Sequence, residues 1–237
     1  MIDEILPPQV CSAEAFIDSP SPVLFPEEEA QRSRWEAARR REFATVRILA
    51  RRALADLGLP PVAIPRGAQG APAWPAGVVG SMTHCPGYRA AAVARSDDLP
   101  TIGVDAELSL PLPRGVLTVI SLPDERRELQ ALADIDPKVC WDRLLFSAKE
   151  ALYKAWFPLT HRWLGFEDAR IRLEPDGTLV AWLLAPGPPV GGGRKGLAGR
   201  WLLRDDLLVT AIAPVRPRRF LVDLSGSRHV HNRGRPG

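Results

Sequence analysis

A proline-rich stretch at residues 108–114 constrains this chain of 237 residues more than any other feature. Pro111 and Pro113 lack the amide hydrogen that a helix interior or a central strand requires. We therefore interpret the stretch as a link between two halves. The sequence predicts an N-terminal subdomain at residues 1–108 and a C-terminal subdomain at residues 109–213.

The first half contains a helical pattern followed by strands. Pro26 and three consecutive acids suit the start of one long helix within residues 22–58, and Gly58 suits its end. Apolar positions recur at helical spacing at Phe43, Val46, Ala50, Ala53 and Leu57. The other side, toward solvent or a ligand, carries Arg39, Arg40, Arg47 and Arg51. Strands are predicted at residues 78–83, 89–94 and 101–107.

The pattern partly restarts in the second half. Helices are predicted at residues 123–133 and 137–157, and strands at residues 169–174, 178–184, 200–203 and 207–213. Asp176-Gly177 and Asp205-Asp206 are typical of hairpin turns. Residues 186–196 are a glycine-rich loop, and the basic residues 214–237 are predicted to be a largely disordered tail.

Composition narrows the class of protein. The three cysteines, Cys11, Cys85 and Cys140, are far apart and form no C-x-x-C pair, which indicates neither a disulfide framework nor a zinc site. No apolar run approaches a membrane span, and the N-terminus carries acids where a signal peptide carries bases. We expect a cytoplasmic protein that does not enter a membrane. The net charge of +3 decides nothing about partners by itself.

Two carboxylates lie two residues apart on the predicted third strand. Asp105 and Glu107 therefore project from the same face, which suits a hard cation. Magnesium usually takes one or two carboxylates and completes its shell with water and substrate phosphates. The alternative interpretation is a solvated strand end.

A second polar cluster lies on the predicted helix of the second half. Arg143, Ser147, Glu150 and Lys154 recur at helical spacing and form one stripe. Such a stripe is commonly a solvated helix face. However, Lys149 and Lys154 are two of only four lysines in the chain, the others being Lys138 and Lys195.

Two loop regions complete the candidate motifs. Thr83 and His84 place a hydroxyl and an imidazole at a strand end, where a phosphate can bind. Residues 66–72 form a short glycine loop that lacks the pattern of a P-loop or of a dinucleotide-binding loop, so a plain turn is the alternative.

Taken in order, these segments resemble the signature of the Sfp/EntD-type 4′-phosphopantetheinyl transferases. The matching segments are the glycine-proline loop, S-x-T-H at 81–84, G-V-D-A-E at 103–107 and F-x-x-K-E-A-x-Y-K at 146–154. The sequence around Glu42 and the segments at 156–160 and 163–168 are most similar to the PptT branch of actinomycetes. The resemblance runs from about residue 27 to residue 213.

The resemblance implies an α/β (α+β) fold of two similar subdomains related by a pseudo-twofold, acting as a monomer. Coenzyme A would bind in the cleft between them, with its adenosine phosphates on the N-terminal side. The C-terminal subdomain would carry the catalytic helix and the surface that docks a carrier protein. The implied reaction is attack by a serine of an apo acyl or peptidyl carrier protein on the β-phosphate of coenzyme A, which releases adenosine 3′,5′-bisphosphate.

The resemblance also implies roles for individual residues. Asp105, Glu107 and Glu150 would ligate Mg²⁺, or alternatively Mn²⁺, together with the pyrophosphate. Lys154 would neutralise phosphate oxygens, and Glu150 or a metal-bound water would accept the serine proton. The residues implied in coenzyme A binding are Arg39, Arg47, Arg66, Thr83, His84, Lys149 and Lys154. Relatives often carry a lysine in the glycine loop, whereas this chain has Gln69 and Arg66 there.

Two other functions remain open from the sequence. A magnesium-dependent phosphohydrolase or nuclease can use the same three acids with water as the nucleophile. A nucleic-acid-binding module would use the arginine-rich helix and the basic tail, but it leaves the acidic motifs unexplained. We expect no nucleic acid partner. Arg162, Trp163 and Leu164 follow the catalytic helix and are predicted to dock an acidic, partly apolar carrier helix.

Overall fold

The computed structural model describes residues 1–32, 35–184 and 196–215. The predicted tail from residue 216 onward and the predicted glycine-rich loop up to residue 195 lie outside the described residues. The helices are α1 (Pro26–Arg32), α2 (Ala37–Asp56), α3 (Val116–Ile120), α4 (Pro123–Ile135) and α5 (Trp141–Thr160). The strands are β1 (Cys11–Ala15), β2 (Val78–Cys85), β3 (Tyr88–Arg95), β4 (Gly103–Leu108), β5 (Ala169–Leu173), β6 (Thr178–Leu183), β7 (Leu197–Arg204) and β8 (Leu207–Ile212).

The strands form two antiparallel sheets, so the fold is of the mixed α+β class. The first sheet has the order β1-β3-β2, and the second has the order β4-β8-β7-β6-β5. Strand β4 ends at residue 108, in the predicted N-terminal half, but it pairs with β8 of the second half. This pairing places Asp105 opposite Thr210. The division at residue 108 and the pseudo-twofold relation stay predictions.

Helix α2 packs on the first sheet as its apolar pattern predicts. Phe43, Val46, Ala50 and Ala53 are buried. The expectation of one long helix over residues 22–58 is wrong, because α1 and α2 are separate. The buried carboxylate of Glu28 in α1 accepts hydrogen bonds from Phe25 N, Ile64 N and Arg51. These bonds attach α1 to the chain that follows α2 and leave Arg51 paired with an acid instead of a ligand.

The second sheet packs against α5, whose buried face includes Leu145, Ala148 and Leu152. Its last hairpin turns at Asp205 and Asp206, which both have positive φ, as the two-residue turn between paired strands requires. Among the helices of the described residues, none is long and apolar enough to cross a membrane.

Side-chain hydroxyls connect the two sheets where β2 lies beside β4. Ser81 Oγ accepts a hydrogen bond from Val104 N at 3.1 Å, and Thr83 Oγ1 accepts one from Ala106 N at 3.0 Å. Both hydroxyls project from the same face of β2 because they are two residues apart. We call this contact the β2–β4 junction. It satisfies two amide groups at a strand edge that no neighbouring strand covers.

Gly103 allows the closest approach between β4 and α5. A Cβ atom at this position would lie 1.9 Å from Ala151 O and 2.7 Å from Ala155 N, both of which are backbone atoms that cannot rotate away. The approach sets the distance between the strand that carries Asp105 and the helix that carries Glu150.

We predict that Gly103→Ala lowers the free energy of unfolding by about 3 kcal/mol or more, because it overpacks this contact. Gly58→Ala is the control: its Cβ meets nothing within 4 Å, and its φ of +76° alone accounts for a cost of about 1 kcal/mol. Chemical denaturation of both variants measures the difference. Equal costs would show that α5 moves freely away from β4.

Candidate active site

One cleft of about 290 Å³ collects residues from both halves of the chain. Its walls come from α2, the glycine loop at residues 66–72, β2 and α5. Six of the residues singled out from the sequence line it, namely Arg39, Arg47, Arg66, His84, Glu150 and Lys154. The structure therefore brings most of the predicted site together, although Arg39 and Lys154 are 115 residues apart in the chain.

Three arginines form a positively charged wall. Within the part of the chain that the structure describes, none of the three, Arg39, Arg47 and Arg66, forms an ion pair with a carboxylate. Arg47 lines the cleft but is buried instead of facing solvent, because it packs over Phe43 and donates hydrogen bonds to Ile64 O and Phe43 O. Burial, assisted by the charge of Arg66, lowers the pKa of Arg47 to about 9, so it stays protonated at neutral pH. The wall suits an anionic ligand.

His84 lies at the edge of the same cleft. Its Nδ1 is 3.6 Å from a carboxylate oxygen of Glu42. Burial lowers the pKa of His84, and the positive charges of Lys154, Arg89 and Arg39 act in the same direction against Glu42. A neutral imidazole still has one N–H with which to bind a phosphate oxygen.

Asp105 is held by three side-chain donors from two elements, β2 and α5. Its Oδ1 accepts hydrogen bonds from Lys154 Nζ at 2.7 Å and Thr83 Oγ1 at 3.3 Å. Its Oδ2 accepts a hydrogen bond from Ser147 Oγ at 2.9 Å, and Ser147 Oγ is 2.9 Å from Thr210 Oγ1. The carboxylate is buried, and its orientation is fixed by β2, α5 and, through Ser147, β8.

The other two acids experience the charge of Asp105. Burial raises the pKa of Glu107, and Asp105 raises it further although Arg143 is 3.2 Å away. Burial also raises the pKa of Glu150, and Asp105 adds to the effect. No hydrogen bond or ion pair involves the carboxylate of Glu150 within the described residues. Asp105 thus repels each of the other two acids, and a cation would relieve that repulsion.

The acids do not form a complete metal cage by themselves. Over the described ranges, no three acidic, histidine or cysteine side chains form a group that can hold a metal ion. The donor set nevertheless fits magnesium, which prefers oxygen ligands, takes few carboxylates and relies on water and substrate phosphates for the rest.

Two residues implied in coenzyme A binding do not line the cleft. Lys149 is buried, and its Nζ donates to Glu125 Oε2 at 2.8 Å, Phe166 O at 2.8 Å and Ala169 O at 3.1 Å. These acceptors use all three of its N–H groups, and burial lowers its pKa. Thr83 is 2% exposed and contacts β4 and Asp105 instead. Lys149 connects α5 to α4 and β5, and Thr83 supports an acid.

The residues predicted to dock a carrier protein differ in exposure. Trp163 is 74% exposed, whereas Leu164 is 7% exposed and belongs to the core that α5 forms with the second sheet. Leu164 therefore adds no apolar area to a docking surface.

Sequence reasoning missed Trp35 and Tyr153, which also line the cleft. The spacing of Trp35 and Arg39, one helical turn apart, was the available signal for Trp35.

Comparison with known proteins identifies the family to which the chain belongs. Residues 27–94 match the 4′-phosphopantetheinyl transferase N-terminal domain, and residues 101–188 match the 4′-phosphopantetheinyl transferase superfamily. The chain is 54% identical over 222 residues to 4′-phosphopantetheinyl transferase Svp of Streptomyces mobaraensis, covering 92% of this chain and 90% of Svp. The chain belongs to the 4′-phosphopantetheinyl transferase family.

Two further relatives support a position near the actinomycete PptT branch. The chain is 50% identical to 4′-phosphopantetheinyl transferase Npt of Nocardia iowensis, covering 90% of this chain and 99% of Npt. It is 48% identical to 4′-phosphopantetheinyl transferase PptT of Mycobacterium tuberculosis, covering 84% of this chain and 90% of PptT. Membership in this family of transferases does not favour the phosphohydrolase, nuclease or nucleic-acid-binding alternatives.

We predict that Thr83→Val lowers the free energy of unfolding by about 1–3 kcal/mol, because Ala106 N loses its buried acceptor. Transfer activity should fall as well, because Asp105 loses a donor. Thr83→Ser keeps the hydroxyl and should stay close to the parent protein in both respects. Thermal melts and transfer rates measure the two effects, and a Thr83→Val variant with unchanged stability would contradict the role of the hydroxyl.

Proposed function

We propose that this chain transfers the 4′-phosphopantetheine group of coenzyme A to a serine of an apo acyl or peptidyl carrier protein and releases adenosine 3′,5′-bisphosphate. The observation that carries the proposal is the cleft itself, where three arginines without carboxylate partners lie beside Lys154 and Glu150. Coenzyme A is a ligand with a phosphate and a pyrophosphate, so it matches this distribution of charge.

The arginine wall would bind the adenosine phosphates. Guanidinium groups present paired N–H donors that match phosphate oxygens, and Arg39, Arg47 and Arg66 reach the cleft from two separate segments. His84 supplies a further donor at the same edge. Lys154 is next to the acids, where it would offset negative charge as the pyrophosphate bond breaks.

Asp105, Glu107 and Glu150 would hold Mg²⁺, with Mn²⁺ as the alternative, jointly with pyrophosphate oxygens of coenzyme A. A bound magnesium ion polarises phosphoryl oxygens and stabilises the charge that develops on the leaving group. The protein's own contribution is orientation: Ser147, Thr83 and Lys154 fix the Asp105 carboxylate in one position.

Glu150 is the carboxylate best placed to accept the serine proton. It lines the cleft, and among the described residues no hydrogen-bond donor occupies its oxygens, unlike those of Asp105 and Glu107. A serine hydroxyl is a weak nucleophile near neutral pH and requires such an acceptor as the new bond forms.

The carrier protein would approach along the exposed side of Trp163, beside the C-terminal end of α5. Carrier proteins present an acidic helix next to their serine, and an exposed indole near a basic residue provides a matching surface. A monomeric state, a cytoplasmic location and the absence of a nucleic acid partner stay predictions.

The proposed function is tested by mixing the protein with coenzyme A, magnesium and a panel of apo carrier proteins. We predict the mass gain of one phosphopantetheine group on the carrier, and its loss in Asp105→Ala or after chelation of divalent ions. Asp98→Ala, on an exposed turn, is the matched control and should keep full activity. If no carrier protein in the panel gains this mass, the proposal is contradicted. Full activity of Asp105→Ala would contradict the metal assignment.

Glu150→Gln separates metal ligation from proton transfer. The amide can offer one oxygen to magnesium but accepts no proton at neutral pH. We therefore predict that the variant retains much of its affinity for coenzyme A and loses about a hundredfold or more in kcat. Calorimetry and steady-state rates measure the two quantities. A near-normal kcat would instead assign the proton to a metal-bound water.

A further inference from the structure

We propose that Trp35 and Phe43 form an aromatic platform that positions the three arginines of the cleft for a phosphate-rich ligand. The inference rests on the proposed function, because it takes coenzyme A as that ligand. Trp35 and Phe43 act as positioning residues: they hold the groups that contact the phosphates.

All three guanidinium groups lie against these two rings. The rings meet edge to face, with ring centroids 5.0 Å apart and an angle of 78° between the ring planes. The guanidinium of Arg47 lies 3.3 Å from the centroid of Phe43. Those of Arg39 and Arg66 lie 5.4 Å and 5.1 Å from the centroid of Trp35. These distances are within the range of cation–π attraction.

Aromatic rings can hold the three guanidinium groups without neutralising their charge, which carboxylates cannot do. Three like charges in one cleft repel one another, and the charge of Arg66 contributes to the lowered pKa of Arg47. A carboxylate partner would relieve the repulsion, but it would also neutralise the charge and occupy the N–H donors that a phosphate requires. A ring face attracts the guanidinium and leaves its in-plane donors available.

The guanidinium of Arg66 depends on the platform although its backbone is held elsewhere. Its backbone is fixed to α1, because Arg66 N donates to Gln31 Oε1 at 2.7 Å and Gln31 Nε2 donates to Arg66 O at 3.1 Å. Its side chain passes over Gly70, where an added Cβ would lie 2.4 Å from Arg66 Nη2. Trp35 is the ring that contacts this guanidinium, so loss of the indole should release it.

The first experiment compares Trp35→Ala with Trp35→Phe in calorimetric titrations with coenzyme A and with inorganic pyrophosphate. Loss of two cation–π contacts should raise the Kd for both ligands about tenfold in Trp35→Ala. Trp35→Phe keeps a ring face and should restore most of the affinity. The kcat at saturating coenzyme A should stay close to that of the parent protein, because Trp35 takes no part in proton transfer.

A double-mutant cycle then tests positioning against direct contact. Trp35→Ala and Arg66→Gln should be strongly non-additive for coenzyme A binding, whereas Trp35→Ala and His84→Gln should be additive, because His84 does not contact the platform. Additivity in both cycles would overturn the proposal. So would a loss seen with coenzyme A but not with pyrophosphate, because the indole would then contact the adenine base directly.

Failure of the platform can be distinguished from failure of the proposed function. The binding measurements need no carrier protein, so the platform can be judged even if no phosphopantetheine is transferred. Conversely, an active enzyme whose ligand affinity is unaffected by Trp35→Ala would keep the proposed function and discard the platform. Thermal melts of each variant ensure that changes in affinity are compared between folded proteins.

Discussion

The structure depends on the junction between β2 and β4. Among the described residues neither strand has a hydrogen-bonded neighbour on that side, and the hydroxyls of Ser81 and Thr83 accept hydrogen bonds from amide groups of β4. The two sheets therefore meet through side chains instead of a continuous ladder. Buried amide groups without acceptors cost about 1–3 kcal/mol each, so the hydroxyls at these two positions stabilise the packing of one sheet against the other.

The same junction organises the acidic part of the cleft. Thr83 Oγ1 contacts both Ala106 N and Asp105, so one hydroxyl fixes a strand and a carboxylate. Gly103 lets the backbone of α5 approach β4 closely, which positions Glu150 relative to Asp105. Because these contacts hold β4 against both β2 and α5, movement of Asp105 relative to Glu150 requires rearrangement of this packing. A rigid arrangement of this kind suits a reaction that relies on orientation of phosphates.

The sequence predicted those features that depend on local patterns. Helical spacing located α2 and α5, strand-like runs located β2 and β3, and the motif segments located most residues of the cleft. Features that depend on long-range contacts were not predictable in this way. The separation of α1 from α2 depends on Glu28 reaching Ile64, and the burial of Arg47 depends on a carbonyl group 17 residues away. Lys149 and Thr83 likewise are polar residues whose partners lie on other elements.

Charge is handled differently on the two sides of the cleft. On the acidic side each of two carboxylates has a basic neighbour, Lys154 for Asp105 and Arg143 for Glu107. On the basic side the arginines contact aromatic rings, which leave their charge uncompensated. Under the proposed function, a polyanionic ligand would therefore be attracted first to the arginine wall. This asymmetry would orient the ligand before its reacting phosphate meets the acids.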